Sequence, residues 1–236
     1  MMNKRKADRI GASVFLAFIA ILSVCLLLNL RRLREAGERY EDVRTAQGDA
    51  EHLAETAARN PDVIGFLTVE GTEIRCAVVQ GTDNLTYLNT NADGEESFAG
   101  TPFLDCRNAA DFTDPYSVIY GHLMEDHLMF GDLQLFEDEA FWTEERRGKL
   151  LLTDGSEIGI RFVAYLRADS EDSRFFDPLR VRNNWNEEFL NDMAGEFRIS
   201  TEKIGTGDCI LALSTCTAFE SEERIMILGK LNRTEG

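Results

Sequence analysis

Residues 210–216 read ILALSTC, an apolar run that ends in two small hydroxyl residues and a thiol. A short apolar run bounded by polar residues is typical of a strand buried in a sheet, and we predict a strand over Asp208–Thr215. Strands exit into surface loops, where binding and catalytic side chains concentrate. A cysteine at such an exit can act as a nucleophile once a nearby base or cation lowers its pKa. The stretch therefore indicates a β-rich fold with a candidate reactive thiol, Cys216.

Similar short apolar runs, separated by turn residues, recur along the chain after Pro61. A β-hairpin is predicted over Val63–Val69 and Thr72–Val79, with Glu70-Gly71 as its turn. The further strand candidates are Thr101–Leu104, Ser117–Tyr120, Lys149–Thr153, Ile158–Ala168 and Ile225–Leu231. Eight short strands suit a barrel or sandwich better than a parallel sheet with crossover helices.

Three segments are predicted to be helical. Met129–Glu145 and Trp185–Glu196 carry apolar residues at helix spacing and are expected as insertions on the β scaffold. Residues 31–59 are rich in Glu, Arg and Ala and end at Asn60-Pro61, because a residue before proline is pushed out of the helical region. This segment is either a spacer that packs on the domain or a solvated stalk.

The stretch Ile10–Leu30 holds no charged residue and has the length that a helix needs to cross a bilayer. We predict a transmembrane anchor over 10–30, residues 1–9 in the cytoplasm, a juxtamembrane segment over 31–59 and one catalytic domain over 60–236. Four basic residues precede the apolar stretch and three follow it closely, so they specify its orientation only weakly.

The chain carries a formal charge of −17, and its first 34 residues are basic, so the remaining domain is more acidic still. Such a surface repels nucleic acid, and no nucleic-acid partner is expected. The sequence has no HExxH motif, no CxxC pair, no EF-hand loop and no phosphate-binding glycine loop. We expect neither a metal nor a cofactor.

Four of the five cysteines lie outside the apolar stretch. An even number in an oxidising compartment could form two disulfides. However, Cys76 alternates with apolar neighbours in a predicted strand and Cys209 begins an apolar run, so both resemble small buried hydrophobes. We expect no structural disulfide.

His122 is the candidate base for Cys216, because it follows the strand-like run Val118–Gly121 and the glycine lets the chain turn at the rim of the sheet. His52 lies in the polar helical segment, and His127 is interpreted as a surface-loop residue. An ordinary structural histidine at position 122 is not excluded by the sequence.

Arg224 begins the last predicted strand, eight residues after Cys216. If the two strands pair as an antiparallel hairpin, positions 216 and 224 face each other. The guanidinium could then stabilise the oxyanion of a tetrahedral intermediate, or it could be a rim arginine paired with Glu222 or Glu223.

The chain resembles the class B sortases, the cell-wall transpeptidases of Gram-positive bacteria. The likeness runs from Asn60 to the end of the chain and depends on the order and spacing of several motifs. These are NPDVIGF at 60–66, VVQGTDN at 78–84 leading to Tyr87-Leu88, GTPFLD at 100–105, IYGHLM at 119–124, MFG at 129–131, and LSTC at 213–216 followed by Arg224.

The resemblance implies an eight-stranded β-barrel with an N-terminal helical extension and an inserted helix before the seventh strand. It also implies that the N-terminus lies inside the cell and the catalytic domain outside. By this likeness Cys216 attacks a threonine carbonyl in the C-terminal sorting signal of a secreted protein and forms a thioester. The acceptor would be the amine of a peptidoglycan cross-bridge, its lipid-linked precursor or a pilin lysine.

The same likeness assigns His122 to proton transfer and Arg224 to the oxyanion, and it implies that Asn84, Leu88 and Ser214 line the substrate groove. Cys106 departs from the family pattern and is a second candidate thiol. Two alternatives stay open: a peptidase that mainly hydrolyses, and an inactive membrane-tethered binding module on the same scaffold.

Overall fold

In a computed structural model of the chain, residues 48–124, 127–142, 146–216 and 222–233 are described, together with residues 23, 24 and 28 and, at Cys216, the backbone. The chain divides into two units, Met1–Arg39 and Tyr40–Gly236. In the first unit the three described residues are helical. The predicted anchor over 10–30 otherwise lies outside the described residues. Among the helices in the described ranges, none is long and apolar enough to cross a membrane.

In its described residues the second unit is built on nine strands. They are β1 (Val63–Val69), β2 (Arg75–Val79), β3 (Phe103–Leu104), β4 (Tyr116–Tyr120), β5 (Arg147–Leu152), β6 (Glu157–Asp169), β7 (Phe197–Ser200), β8 (Ile210–Cys216) and β9 (Glu223–Arg233). All eight predicted strands are present, so the mainly β prediction is confirmed. β7 is an additional strand: its half-buried Phe197 and Ile199 alternate with exposed residues over only four positions, a pattern too short to stand out.

Eight of these strands close into a barrel. The order is β5-β1-β2-β3-β4-β8-β9-β6, and β6 pairs back to β5. β4 and β8 run parallel, whereas β8 and β9 form an antiparallel hairpin. β6 is thirteen residues long, and while its first half pairs with β5, its second half pairs with β7 after a bulge. The eight-stranded barrel expected from the resemblance is therefore confirmed.

The part of the second unit that the structure describes has four α-helices around the barrel: α1 (Asp49–Arg59), α2 (Ser173–Phe176), α3 (Pro178–Asn183) and α4 (Glu187–Ala194). α1 buries Leu53 and Thr56 against the barrel and ends at Asn60, so this part of the 31–59 segment packs on the domain. α2, α3 and α4 form an insertion between β6 and β7, and we use the term helical insertion for residues 173–194. α4 confirms the helix predicted over Trp185–Glu196.

The helix predicted over Met129–Glu145 is wrong. The described part forms two 3₁₀ helices, Gly131–Glu137 and Glu139–Trp142. In an α-helix the amide of Ala140 would donate to the carbonyl of Phe136. Instead Ala140 N donates to the side chain of Asp138 at 2.9 Å, and the indole of Trp142 donates to Phe136 O at 2.8 Å. Competing side-chain hydrogen bonds thus break the α-helical pattern.

Packing outside the barrel is divided between two apolar clusters. One packs α1 on β1, β2 and β3 through Leu53, Phe66 and Phe103, among others. The other packs the helical insertion on β4, β6, β8 and β9. A third 3₁₀ helix, Thr86–Leu88, lies in the β2–β3 loop, which covers residues 80–102. The helical insertion and the β2–β3 loop both approach the C-terminal ends of β4 and β8.

Candidate active site

The parallel pairing of β4 and β8 sets the position of His122 relative to Cys216. Tyr120 is paired with Ser214, and the next amide, Gly121 N, donates to Ser214 O at 3.0 Å. His122 and Cys216 therefore each lie two residues beyond a paired position on adjacent parallel strands. Gly121 is required here because an added Cβ would lie 2.7 Å from the ring of Phe130.

The imidazole of His122 is oriented by a backbone carbonyl. Its Nε2 lies 2.7 Å from Leu88 O, and the ring is half-buried. Because a carbonyl oxygen only accepts hydrogen bonds, Nε2 carries the proton in this contact. Nδ1 is then the nitrogen available to exchange a proton with a reacting group. The contact acts in the manner of the orienting partner of a catalytic histidine.

The carbonyl of Leu88 is held in place by its neighbour Tyr87. Tyr87 is buried, its hydroxyl donates to Asp62 Oδ2 at 2.8 Å, and its carbonyl accepts from Thr101 N at 3.0 Å. Gly100 has a φ of 59°, and a Cβ there would lie 2.6 Å from Tyr87 O. The β2–β3 loop is thus fixed at the residue that orients His122, and Leu88 contributes to the site through its backbone.

Arg224 is paired with Cys216 across the β8–β9 hairpin, as predicted from the spacing. Its guanidinium is half-buried, and Nη1 donates to Glu223 O at 3.4 Å. The carboxylate of Glu223 is engaged by Arg167 at 3.1 Å and Arg198 at 3.6 Å. The backbone of Cys216 therefore lies between β4, which leads to His122, and β9, whose second residue is Arg224.

Ser214 is buried, and its hydroxyl has no hydrogen-bond partner among the described residues. A buried hydroxyl without a partner is costly in a folded protein and is uncommon. Its position in β8 is two residues before Cys216. A ligand that supplied a hydrogen-bonding group here would satisfy it.

Asn84, the remaining predicted groove residue, has both ends of its amide engaged within the protein. Nδ2 donates to Asp105 Oδ2 at 2.9 Å, and Oδ1 accepts from Cys106 N at 2.8 Å. Asp105 also accepts from the hydroxyl of Tyr120 at 3.0 Å and from Arg107. Sequence reasoning missed this cluster, whose signal was an acidic residue at the end of an apolar strand followed two positions later by arginine.

The three cysteines with described side chains all have free thiols. Cys76 is fully buried, and burial raises the pKa of its thiol to about 12, so it is unreactive near neutral pH. Cys106 and Cys209 are half-buried. The prediction that Cys209 is a buried hydrophobe is therefore wrong: the residue lies just before β8 begins and is only half-buried.

His127 is exposed, as predicted, with 66% of its side-chain surface accessible. Its Nδ1 lies 2.5 Å from the buried carboxylate of Asp132. It has a φ of 64°, which places it in a tight turn within the loop that follows His122. The described residues contain no group of three or more His, Cys, Asp or Glu side chains that could hold a metal.

No protein-family model matches the chain. The chain is 30% identical over 190 residues to sortase B of Listeria monocytogenes, covering 77% of this chain and 74% of that protein. It is 26% identical to sortase B of Staphylococcus aureus, covering 73% and 71%. The crystal structure of a Streptococcus pyogenes class B sortase involved in pilus biogenesis is similar in fold, with a TM-score of 0.70 and 34% identity over 75% of this chain and 96% of that one.

Proposed function

The chain belongs to the class B sortases and is a cysteine transpeptidase, and we propose that it acts through Cys216, His122 and Arg224 on the C-terminal sorting signals of secreted proteins. The observation that supports this assignment is the strand register. The pairing of Tyr120 with Ser214 and of Cys216 with Arg224 brings the three positions to one end of β4, β8 and β9.

The reaction has two steps, acylation of Cys216 and transfer of the acyl group to an amine. The sulfur of Cys216 attacks the carbonyl carbon of the sorting-signal threonine, and the peptide bond after it breaks. The proton of the Cys216 thiol passes to His122 and from His122 to the departing amine, which leaves a thioester on Cys216. An incoming amine then attacks the thioester and loses a proton to His122, the carbon–sulfur bond breaks as the new amide forms, and the proton passes from His122 back to the sulfur of Cys216. Arg224 donates hydrogen bonds to the oxyanion that forms in each step.

Transfer is distinguished from hydrolysis by the fate of the thioester. The test is to incubate the domain from residue 31 onward with threonine-containing sorting peptides, with and without an added glycine-type amine, and to analyse the products by mass spectrometry. An amide product that grows with amine concentration supports transpeptidation. Free carboxylic acid as the main product at every amine concentration would instead support a hydrolase.

The amine acceptor and the membrane attachment are further parts of the proposal. We infer a peptidoglycan cross-bridge, its lipid-linked precursor or a pilin lysine as the acceptor, because each supplies a primary amine. A single-pass anchor over 10–30 is supported by the uncharged apolar stretch, and the position of the catalytic domain outside the cell is supported by membership of the class B sortases. Protease treatment of intact cells that removes the domain would test this orientation.

Replacing Arg224 by alanine is expected to lower kcat by about 10²-fold, the effect of removing one oxyanion donor in other acyl-transfer enzymes. Lysine at this position retains the charge but loses the planar geometry of the guanidinium, so the kcat of Arg224→Lys should lie between that of wild type and that of Arg224→Ala. Arg233 is at the far end of the same strand and is exposed. Steady-state kinetics of Arg233→Ala should match wild type, and an equal loss in both alanine variants would contradict the assignment.

Replacing Ser214 by alanine is expected to raise KM for the sorting peptide about fivefold while kcat changes little, because a hydrogen bond to bound substrate is worth about 1 kcal/mol. The same variant removes a buried hydroxyl that has no partner among the described residues. Thermal unfolding should therefore show unchanged or slightly higher stability. A lower melting temperature with unchanged KM would mean that Ser214 is structural.

A further inference from the structure

A buried ionic cluster lies next to the candidate active site, centred on the carboxylate of Asp105. Asp105 is fully buried at the end of β3. It accepts hydrogen bonds from Arg107 Nε at 2.8 Å and Nη2 at 2.7 Å, from Tyr120 Oη at 3.0 Å and from Asn84 Nδ2 at 2.9 Å. A buried carboxylate is tolerated only with such compensation.

The carboxyl group of Asp105 is ionised in this setting. Burial opposes ionisation, but the hydrogen bonds and charge of Arg107, together with the hydroxyl of Tyr120, outweigh it and hold the pKa of Asp105 below its usual value. Removing the charge would leave the guanidinium of Arg107 without its main partner.

Arg107 extends the cluster to the helical insertion. Its Nη2 donates to Phe176 O at 2.8 Å, and its Nη1 lies 3.3 Å from Asp177 Oδ1. Asp177 in turn accepts from Arg180 N at the start of α3. One guanidinium therefore connects the end of β3 to the turn between α2 and α3, with the fixed geometry that a bidentate arginine provides.

Tyr120 and Asn84 extend the cluster to β4 and to the β2–β3 loop. The ring of Tyr120 lies between Phe103 and Phe176, with centroids 5.4 Å and 6.4 Å away. Its backbone is paired with Ser214, two residues before His122. Asn84 belongs to the β2–β3 loop that orients His122 through Leu88 O. The cluster thus contacts both the β2–β3 loop and the helical insertion, the two segments that approach the C-terminal ends of β4 and β8.

We propose that Asp105 and Arg107 are positioning residues that hold the β2–β3 loop and the helical insertion at a fixed separation, and that this separation sets the fit of the extended sorting peptide. The proposal rests on the proposed function, since it concerns the groove of the same site. The proposal gives neither residue a part in making or breaking bonds. Their effect is therefore on peptide binding, with the chemical step at saturating peptide unchanged.

The chain offers a matched control in Asp114. This buried aspartate lies in the same loop after β3 and accepts from Ala109 N at 2.8 Å and Asn108 Nδ2 at 3.0 Å. It is paired with Arg182 of α3 at 3.2 Å. Asp114 thus ties the segment between β3 and β4 to the helical insertion as Asp105 does. Its carboxylate accepts from Asn108, Ala109 and Arg182, and among the described residues it has no hydrogen bond to Asn84 or Tyr120.

The test measures KM for the sorting peptide, kcat and thermal stability in the full catalytic domain for Asp105→Asn and Asp114→Asn. Asp105→Asn is expected to raise KM roughly tenfold with kcat within about twofold of wild type, the signature of lost binding that ground and transition states share. Asp114→Asn should lower stability and leave KM unchanged. An equal KM in the two variants, or a fall in kcat alone for Asp105→Asn, would overturn the proposal.

A milder variant keeps the test valid if Asp105→Asn does not fold. Tyr120→Phe retains the aromatic stack and removes one donor to Asp105, and it should raise KM about threefold, in proportion to one hydrogen bond. An unchanged KM would count against the cluster. Wild-type acylation of Cys216 by the peptide is measured in parallel: its absence would refute the proposed function, whereas acylation with unaltered KM in the variants would refute this inference alone.

Discussion

Cys216→Ala is expected to form no peptide adduct and to lose transpeptidation by at least about 10³-fold, because removing the nucleophile eliminates the covalent route and leaves only binding and the oxyanion site. Intact mass spectrometry after incubation with sorting peptides is the measurement. In wild type, an adduct of peptide mass should appear and should be discharged by an added amine.

The control is Cys106→Ala. Cys106 is half-buried and follows Asp105, so it is the other thiol near the site whose reactivity has to be separated from that of Cys216. Its side chain has no assigned role, and the variant should retain the wild-type adduct. If instead the adduct persists in Cys216→Ala and disappears in Cys106→Ala, the nucleophile has been misassigned.

His122→Ala is expected to lower kcat/KM by roughly 10²- to 10⁴-fold, the usual contribution of a positioned general acid and base. The reason lies in the contact of Nε2 with Leu88 O, which leaves Nδ1 to exchange the proton. The pH dependence of kcat/KM should lose one limb in the variant, a change that a purely structural role would not produce.

The matched control is His127→Ala, five residues further along the same loop. His127 is exposed and paired with Asp132, so its removal should leave the pH profile of kcat/KM intact. A larger loss of activity in His127→Ala than in His122→Ala would show that the base had been assigned to the wrong histidine.

Because Leu88 orients His122 through its carbonyl, a change of the Leu88 side chain should not imitate the His122 variant.

The sequence was informative about the strands because each carries a local apolar run bounded by turn residues. The position of every predicted barrel strand was correct, and their ends differ by up to three residues. Met129–Glu145 was misjudged because its apolar spacing suits a helix, whereas the hydrogen bonds of Asp138 and Trp142 decide its backbone. Side-chain competition of this kind depends on rotamers that a pattern of residue types does not encode.

Part of the candidate site could likewise be predicted from local sequence, and part could not. The pairing of Cys216 with Arg224 followed from loop length, since an antiparallel hairpin makes sequence distance a guide to register. Asp105 could not be assigned a role, because its partners Asn84 and Tyr120 are distant in sequence. A buried charge is recognised by what surrounds it, and only the fold brings those groups together.

Closure of the barrel also limits how this enzyme can hold an extended polypeptide. Many proteins capture extended segments by adding them as a further strand to an open sheet edge. Here β5 and β6 pair with each other, and in the described residues the outermost strand is β7, four residues long. An extended polypeptide therefore finds little unpaired backbone to pair with among these strands, so recognition of a substrate by this fold has to depend mainly on side chains. The same lack of a long open edge protects the protein from edge-to-edge aggregation.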